Sequence, residues 1–472
     1  MRPRHLLPLW VLLAACGGTT MPTSDPGEDV TPSSPPAPAS APRPALAAAV
    51  ASRATSVADG AHVPFGEPLA LVVHGASPGE RVVIKVTAMQ RTVAFSSWAR
   101  FEADAAGIVD TRVASSREGT YEGVDPDGLL WSAVQAKTQD GLERNAVRFV
   151  VEAEKRPSTT VTVGRDFGDT STRVPVDAAD IVGALYVPRG EVRRGVIVAF
   201  GGSEGGASGG ETYAAYWAER GYASLALAYF GAIGVPRRLE RVPLEYFERA
   251  IAWLDTRKDV DASKIAVMGG SRGGEAALAI ASKLPRVAAT IAFVPSGVAW
   301  GAPTSSGEIA SWTHGGADLP FVPYSATGPT VTVGPGGERV EHHAPTFDAS
   351  LDAASPAALE AAAFRVEDAA GPVLMLGGAD DQIWPSCRLG ELAMKRLRAS
   401  GHAVAHQDES LCFGDAGHGL GFPGLSTVGA DIAPDPWGAG AYLALGGTAK
   451  GTARASREAD EKVRALLTRV LH

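Results

Sequence analysis

The sequence predicts an α/β chain in two folded parts: a mostly parallel, doubly wound sheet preceded by an immunoglobulin-like β-sandwich. Three observations carry that expectation. From about residue 160 onward, short apolar runs alternate with amphipathic stretches, the pattern of strands buried on both faces and joined by helices. From about 61 to 155, runs rich in β-branched residues are separated by Gly, Pro and Ser turns. And 472 residues are more than one hydrophobic core usually serves.

The chain opens on "MRPRHLLPLWVLLAAC". Arg2 and Arg4 make a positive start, and Leu6 to Leu13 an apolar stretch too short to span a bilayer comfortably. The closing "LLAAC" resembles the lipobox of bacterial lipoproteins. That resemblance implies a signal peptide over 1–15 and a lipid-bearing Cys16 as first residue of the mature chain. The protein would then be an exported lipoprotein, lipid-anchored in the bacterial cell envelope. An ordinary secretory signal with an unconnected cysteine is the other reading. Residues 16–60, rich in Pro, Ala, Ser and Thr and poor in aromatics, cannot bury a core and read as a tether. No later segment is long and apolar enough for a transmembrane helix, so the membrane would be met through lipid alone.

Composition narrows the partners. Hydrophobic residues at 45% and charged residues at 20% make a globular balance. The net charge of -9 leaves no basic excess to neutralise phosphates, which argues against a nucleic-acid partner. Three cysteines are too few for a disulfide framework.

In the first folded part, 61–155, "LALVVHGASPGERVVIKVTA" reads as a strand, a turn at Ser77-Pro78-Gly79, and a second strand alternating around Val82, Ile84 and Val86. "FEADAAGIVDTRV" repeats the pattern with a turn near Ala106-Gly107. Trp98, Tyr121 and Trp131 are expected in the core and rim of this sandwich. In the second part, 160–472, the buried strands are "GVIVAF" (195–200), "ASLALAYF" (223–230), "KIAVMG" (264–269), "VAATIAFV" (287–294) and "GPVLMLGG" (371–378). Between them, "PLEYFERAIAWLDTR" sets Leu244, Phe247, Ile251 and Leu254 on one helical face. Ligands of such a sheet belong at the carboxyl ends of its strands.

One strand end is chemically distinctive. Gly269-Gly270-Ser271-Arg272-Gly273 fits G-x-S-x-G between the run Ile265 to Met268 and a helix-compatible stretch. A Cβ at either flanking glycine would clash in so sharp a turn, which lifts the serine hydroxyl clear of the backbone. The helix behind it directs its dipole and the Arg272 N–H at an oxyanion forming there. Ser271 is therefore the candidate nucleophile; a glycine-rich βα turn with a capping serine is the plainer reading.

A serine needs a base and an orienting acid, expected downstream in the order Ser, Asp, His. His418 in "GDAGHGL" follows the strand-like "AVAHQDESLCF" and is the candidate base. "GPVLMLGGADDQIWP" ends a strand with two acids, of which Asp381 is the choice and Asp380 the alternative. "FGGSEGG" (200–206) offers the second oxyanion donor, Ser203 N–H. A phosphate cradle there lacks both the P-loop lysine and the G-x-G-x-x-G spacing. His342 and His343 have no third ligand at a convincing spacing, so no metal is expected.

At these residues the sequence resembles the family of acyl-CoA thioesterases and bile acid-CoA:amino acid N-acyltransferases. The likeness runs over roughly 62 to 472: "GTYEGVDPDGLLWS" in the sandwich, then "GGSEGG", "PLEYFERAIAWL", "GGSRGGEAAL", "VPSGVAW", "GGADDQIWPS" and "DAGHG" in order. It implies an α/β-hydrolase domain, a triad of Ser271, Asp381 and His418, no cofactor, and an acyl thioester or ester as small-molecule substrate. Serine instead of the cysteine of the amino-acid-conjugating branch favours hydrolysis. Export departs from the family's intracellular acyl-CoA chemistry and leaves an exported carboxylesterase, an N-acyltransferase and an inactive surface binding protein as alternatives. Cys387 and Cys412 flank the acid-bearing helix and the strand before His418; a disulfide in an oxidising envelope and two buried thiols are both open.

Overall fold

The computed structural model describes residues 43–52, 55–90, 93–136, 142–143, 145–165, 167, 170–190, 195–303, 308–334, 336–424, 427, 431–436 and 440–471. The expected signal peptide, Cys16 and the tether up to residue 42 lie outside them.

Two sheets form the first part. Arg81–Gln90 and Val93–Glu102 are a long antiparallel hairpin, in register from Arg81↔Glu102 to Gln90↔Val93, and Ala146–Ala153 and Thr159–Gly164 extend their sheet. The facing sheet is built from Ala47–Ser52, Thr55–Val57, Ala70–His74 and Val109–Asp110. Period-two alternation sends Val82, Ile84 and Val86 inward against Leu71, Val73 and Phe149, all buried in one core. Tyr121 and Trp131 belong to that core, while Trp98 is exposed on its rim.

The structure corrects both boundaries of this part. Ala47–Ser52 and Thr55–Val57, assigned to the tether, pair with each other and with Ala70–His74, and Val50 is fully buried. Thr159–Gly164 pairs with Ala146–Ala153, so the sandwich runs past residue 155. Ala47–Ser52 is mostly alanine and its partners supply the burial, whereas Thr159–Gly164 alternates Val161 and Val163 inward beyond the expected end of the sandwich.

The second part is an α/β-hydrolase domain. Its central sheet holds β1 (Ser171–Pro175), β2 (Gly183–Pro188), β3 (Val196–Phe200), β4 (Ala223–Leu227), β5 (Ile265–Gly270), β6 (Val287–Phe293), β7 (Val373–Gly378) and β8 (Glu409–Phe413). Their order is β1-β2-β4-β3-β5-β6-β7-β8. β1, β2 and β4 pair antiparallel, and every later pairing is parallel. Six helices concern the site: α1 (Ser208–Ala218), α2 (Glu245–Leu254), α3 (Arg272–Ala281), α4 (Ala344–Ala353), α5 (Ser386–Ser400) and α6 (Ala449–Leu471).

Alternate residues of one strand serve two cores. Val196, Val198 and Phe200 of β3 pack with Phe247, Ile251 and Leu254 of α2 and Leu278 of α3. Ile197 and Ala199 pack with Tyr216 and Trp217 of α1 and Val463 and Leu467 of α6. Helices thus cover both faces, which is why these strands read as unbroken apolar runs.

The 294–372 segment between β6 and β7 carries, among other elements, α4 and the short strands Thr330–Val333 and Arg339–His342. These join Ile432–Pro434 and Tyr442–Ala444, which follow β8, in a four-stranded sheet. The strand expected over "AVAHQDESLCF" is half helix: His402–His406 is a helical turn, Gln407 takes a positive φ of 59°, and β8 starts at Glu409. Five residues of Ala, Val and His are too few for their spacing to separate the two periods. Among the described residues no helix is long and apolar enough to cross a membrane.

Candidate active site

Ser271 sits between β5 and α3 with φ 58° and ψ -125°, a conformation a non-glycine residue adopts only when its surroundings impose it. Two bonds do so: Ser271 N–H donates to Phe293 O at 3.0 Å, and Glu275 N–H donates to Ser271 O at 3.0 Å. Glycine is required around it. A Cβ on Gly269 would stand 2.5 Å from Gly273 O, and one on Gly273 only 2.4 Å from Gly201 O. The loop after β3 therefore comes within contact of the serine turn.

Arg272 opens α3, and its backbone N–H is in the helix's first turn. Its side chain has a different task. The buried guanidinium donates to Glu275, to Gly301 O at 2.9 Å and to Ser311 Oγ. Glu275 Oε1 in turn accepts Trp300 N–H at 3.1 Å and Trp312 Nε1–H at 2.7 Å. Burial pushes the Glu275 carboxyl up, and the Arg272 charge beside it opposes that shift. This ion pair fastens Trp300, Gly301, Ser311 and Trp312 to the helix that follows Ser271. Its signal in the sequence was an Arg and a Glu three apart, one helical turn.

The loop after β7 separates the two candidate acids. Asp381 is buried, and both its oxygens lie 2.9 Å from His418 Nδ1. Its Oδ1 also accepts Ile383 N–H at 3.0 Å and Trp384 N–H at 3.2 Å, which fixes the carboxylate. Asp380 is exposed and turns away, accepting from Gln382 Nε2 and Gly447 N–H at 2.8 and 2.9 Å. His418 is held by its own N–H, which donates to Leu445 O at 2.7 Å, and by the Trp384 ring edge-on at 5.9 Å.

Ser271, Arg272, Ser203 and His418 line one cavity of 590 Å³. Most of its remaining wall is apolar, including Phe347 of α4, Ile383, Trp384, Leu443 and Leu445. The sequence reading missed this roof, because its residues come from three segments, around 347, 383 and 444, that lie far apart in the chain. It also missed Glu204, which lines the cavity and accepts Gly202 N–H with both oxygens, at 3.1 and 3.0 Å. His343 reaches the wall too, its Nε2 3.1 Å from Glu341, whereas His342 bonds Thr332 and Gln382. Cys387, at the start of α5, and Cys412, in β8, are joined by a disulfide with Cα atoms 5.4 Å apart.

A hydroxyl on a strained turn, an imidazole and a carboxylate behind it are the parts needed for acyl transfer. The family models cover both folded parts. The BAAT / acyl-CoA thioester hydrolase C-terminal model matches residues 242–472, and the acyl-CoA thioester hydrolase/BAAT N-terminal region matches 66–176. Acyl-coenzyme A thioesterase 6 of Homo sapiens is 30% identical over 370 residues, spanning 75% of this chain and 82% of that protein. This chain belongs to the BAAT/acyl-CoA thioester hydrolase family. The mitochondrial acyl-coenzyme A thioesterase 2 of Rattus norvegicus is 27% identical over 385 residues, 77% of this chain and 78% of that one. Among solved structures, a dienelactone hydrolase-like promiscuous phosphotriesterase from metagenomic libraries is 15% identical, with 64% of this chain and 99% of that one covered at a TM-score of 0.37. The two family models together match residues in the β-sandwich as well as in the hydrolase domain.

Proposed function

We propose that this family member hydrolyses an acyl thioester through an acyl-serine intermediate on Ser271. The observation that carries the reading is the Asp381–His418 pair, 2.9 Å apart, with His418 lining the same cavity as Ser271. Asp381 accepts Nδ1–H of His418 and so leaves Nε2 as the basic nitrogen. His418 takes the Ser271 proton as Oγ attacks the thioester carbonyl. The oxyanion is received by the N–H groups of Arg272 and Ser203. Collapse breaks the carbon–sulfur bond, and the departing thiolate takes the proton from the imidazolium. Water, deprotonated by His418, then attacks the acyl-serine; the acid leaves and the Ser271 hydroxyl is restored.

Water is the acceptor in this proposal, because an oxoester is better stabilised by resonance than a thioester and yields less readily to amines. Cys16 carries lipid, and the enzyme works in the bacterial envelope. That location supports a second reading, hydrolysis of an oxoester, since free CoA thioesters are not expected outside the cytoplasm.

Thiol release from a panel of acyl thioesters, beside p-nitrophenyl esters, tests the reaction. Ser271→Ala is expected to lower turnover about 10⁴-fold with the fold intact by circular dichroism. Activity kept within about tenfold of wild type, a change of only about 1.4 kcal/mol, would remove Ser271 from the mechanism.

A further inference from the structure

Glu204 stands in the loop after β3 and faces the cavity that holds Ser271. A Cβ built on Gly202 would lie 3.1 Å from Ser271 Cβ and 3.2 Å from Glu204 Oε2, so the carboxylate is a near neighbour of the nucleophile. Among the described residues its hydrogen-bond partner is a backbone N–H, that of Gly202, and not a cation. Its charge is felt further in: burial first, and Glu204 second, push the Tyr213 and Tyr229 hydroxyls above the usual phenol range.

The other ionisable side chains on the described wall are engaged. His418 faces Asp381, His343 faces Glu341, Tyr324 Oη donates to Gly301 O, and the Arg272 guanidinium is held by Glu275, Gly301 and Ser311. The wall beside the reacting carbonyl thus presents one negative charge and, among the described residues, no cation to offset it. Glu204 is exposed at the cavity wall, so water and salt screen its charge in part.

We propose that Glu204 makes the site select acyl groups without a negative charge: monocarboxylic acyl groups are accepted, and those ending in a second carboxylate are rejected. The proposal rests on the reading of Ser271 as the acylated residue, and it names the substrate class of that site. A second carboxylate drawn into the cavity would meet Glu204 with nothing to pair it, and like charges at such range repel.

The test compares hexanoyl with adipoyl groups, equal in chain length and different in one terminal carboxylate. Both are offered as N-acetylcysteamine thioesters and as p-nitrophenyl esters, to wild type, Glu204→Gln and Glu204→Lys. The readout is the ratio of kcat/KM, neutral over anionic. The expected wild-type ratio is about tenfold or more, falling about fivefold in Glu204→Gln and further in Glu204→Lys. Added salt should shrink the ratio in wild type but not in Glu204→Gln, a response a purely structural role would not give. Equal ratios in wild type and Glu204→Gln would overturn the proposal and leave thioester hydrolysis standing. Turnover of the esters alone would overturn the thioester reading, and the ester ratios would still decide on Glu204. A wild type that turns over none of the four substrates overturns both.

Discussion

Asp380 and Asp381 are neighbours in the chain with opposite surroundings, and the difference sets their expected mutational effects. Asp381 is buried against His418, Ile383 and Trp384; Asp380 is exposed and bonds Gln382 and Gly447. Asp381→Asn should lower kcat about 10⁴-fold, because an amide cannot hold the imidazole in the tautomer that frees Nε2. Asp380→Asn keeps an oxygen for Gly447 N–H and should stay within about threefold of wild type, as expected of an exposed polar exchange. Steady-state rates of the two variants check this, and the reverse ranking would make Asp380 the orienting acid. Residues of this kind were legible as a pair, since two acids end a buried strand. Which one faces the base depends on a loop path that no spacing rule encodes. Glu204 was not legible at all: in "GGSEGG" it reads as loop polarity, and its meaning comes from Gly202 lying against Ser271.

Elements buried on both faces announce themselves, because strands such as β3 and β4 print as unbroken apolar runs. The turn into α3 was legible for a related reason: only glycine fits where Gly269 and Gly273 meet opposing carbonyls. Elements stabilised by distant partners did not announce themselves. Ala47–Ser52 looks like tether until it pairs with Ala70–His74, and Arg339–His342 is recruited to the cavity roof by Tyr442–Ala444, a hundred residues on. The disulfide between α5 and β8 belongs to this scale. Cys387 lies six positions after Asp381 and Cys412 six before His418, so one covalent link ties the elements that adjoin the candidate acid and base. Replacing both cysteines by alanine should remove about 3 kcal/mol of stability, from the loop entropy returned to the unfolded chain. Denaturant unfolding with and without reductant measures it. A double variant as stable as wild type, with no effect of reductant on wild type, would show that the link contributes nothing.

The described chain from Arg43 onward is one compact unit, and the contacts between sandwich and hydrolase domain show why. Arg457 of α6 reaches Asp127 at 2.5 Å, and Arg220 donates to Phe65 O at 2.6 Å. Arg464 pairs with Glu67 at 3.3 Å, and Ala453 of α6 packs in the sandwich core. A hydrolase domain cut free at residue 165 would expose this surface, and it should be recovered mainly in aggregates. Thermal unfolding of residues 43–472 should show one transition, and two separated transitions would mean the parts are independent. The claim on which all else depends is the acyl-serine intermediate, and the intact protein can display it. An acyl thioester is mixed with the whole enzyme, quenched in acid within milliseconds, and the mass of the chain and its peptides is read. The expected result is one acyl group per chain, on the peptide containing Ser271, in wild type and absent from Ser271→Ala. An active wild type whose acyl group sits on another residue, or an adduct that survives Ser271→Ala, would contradict it.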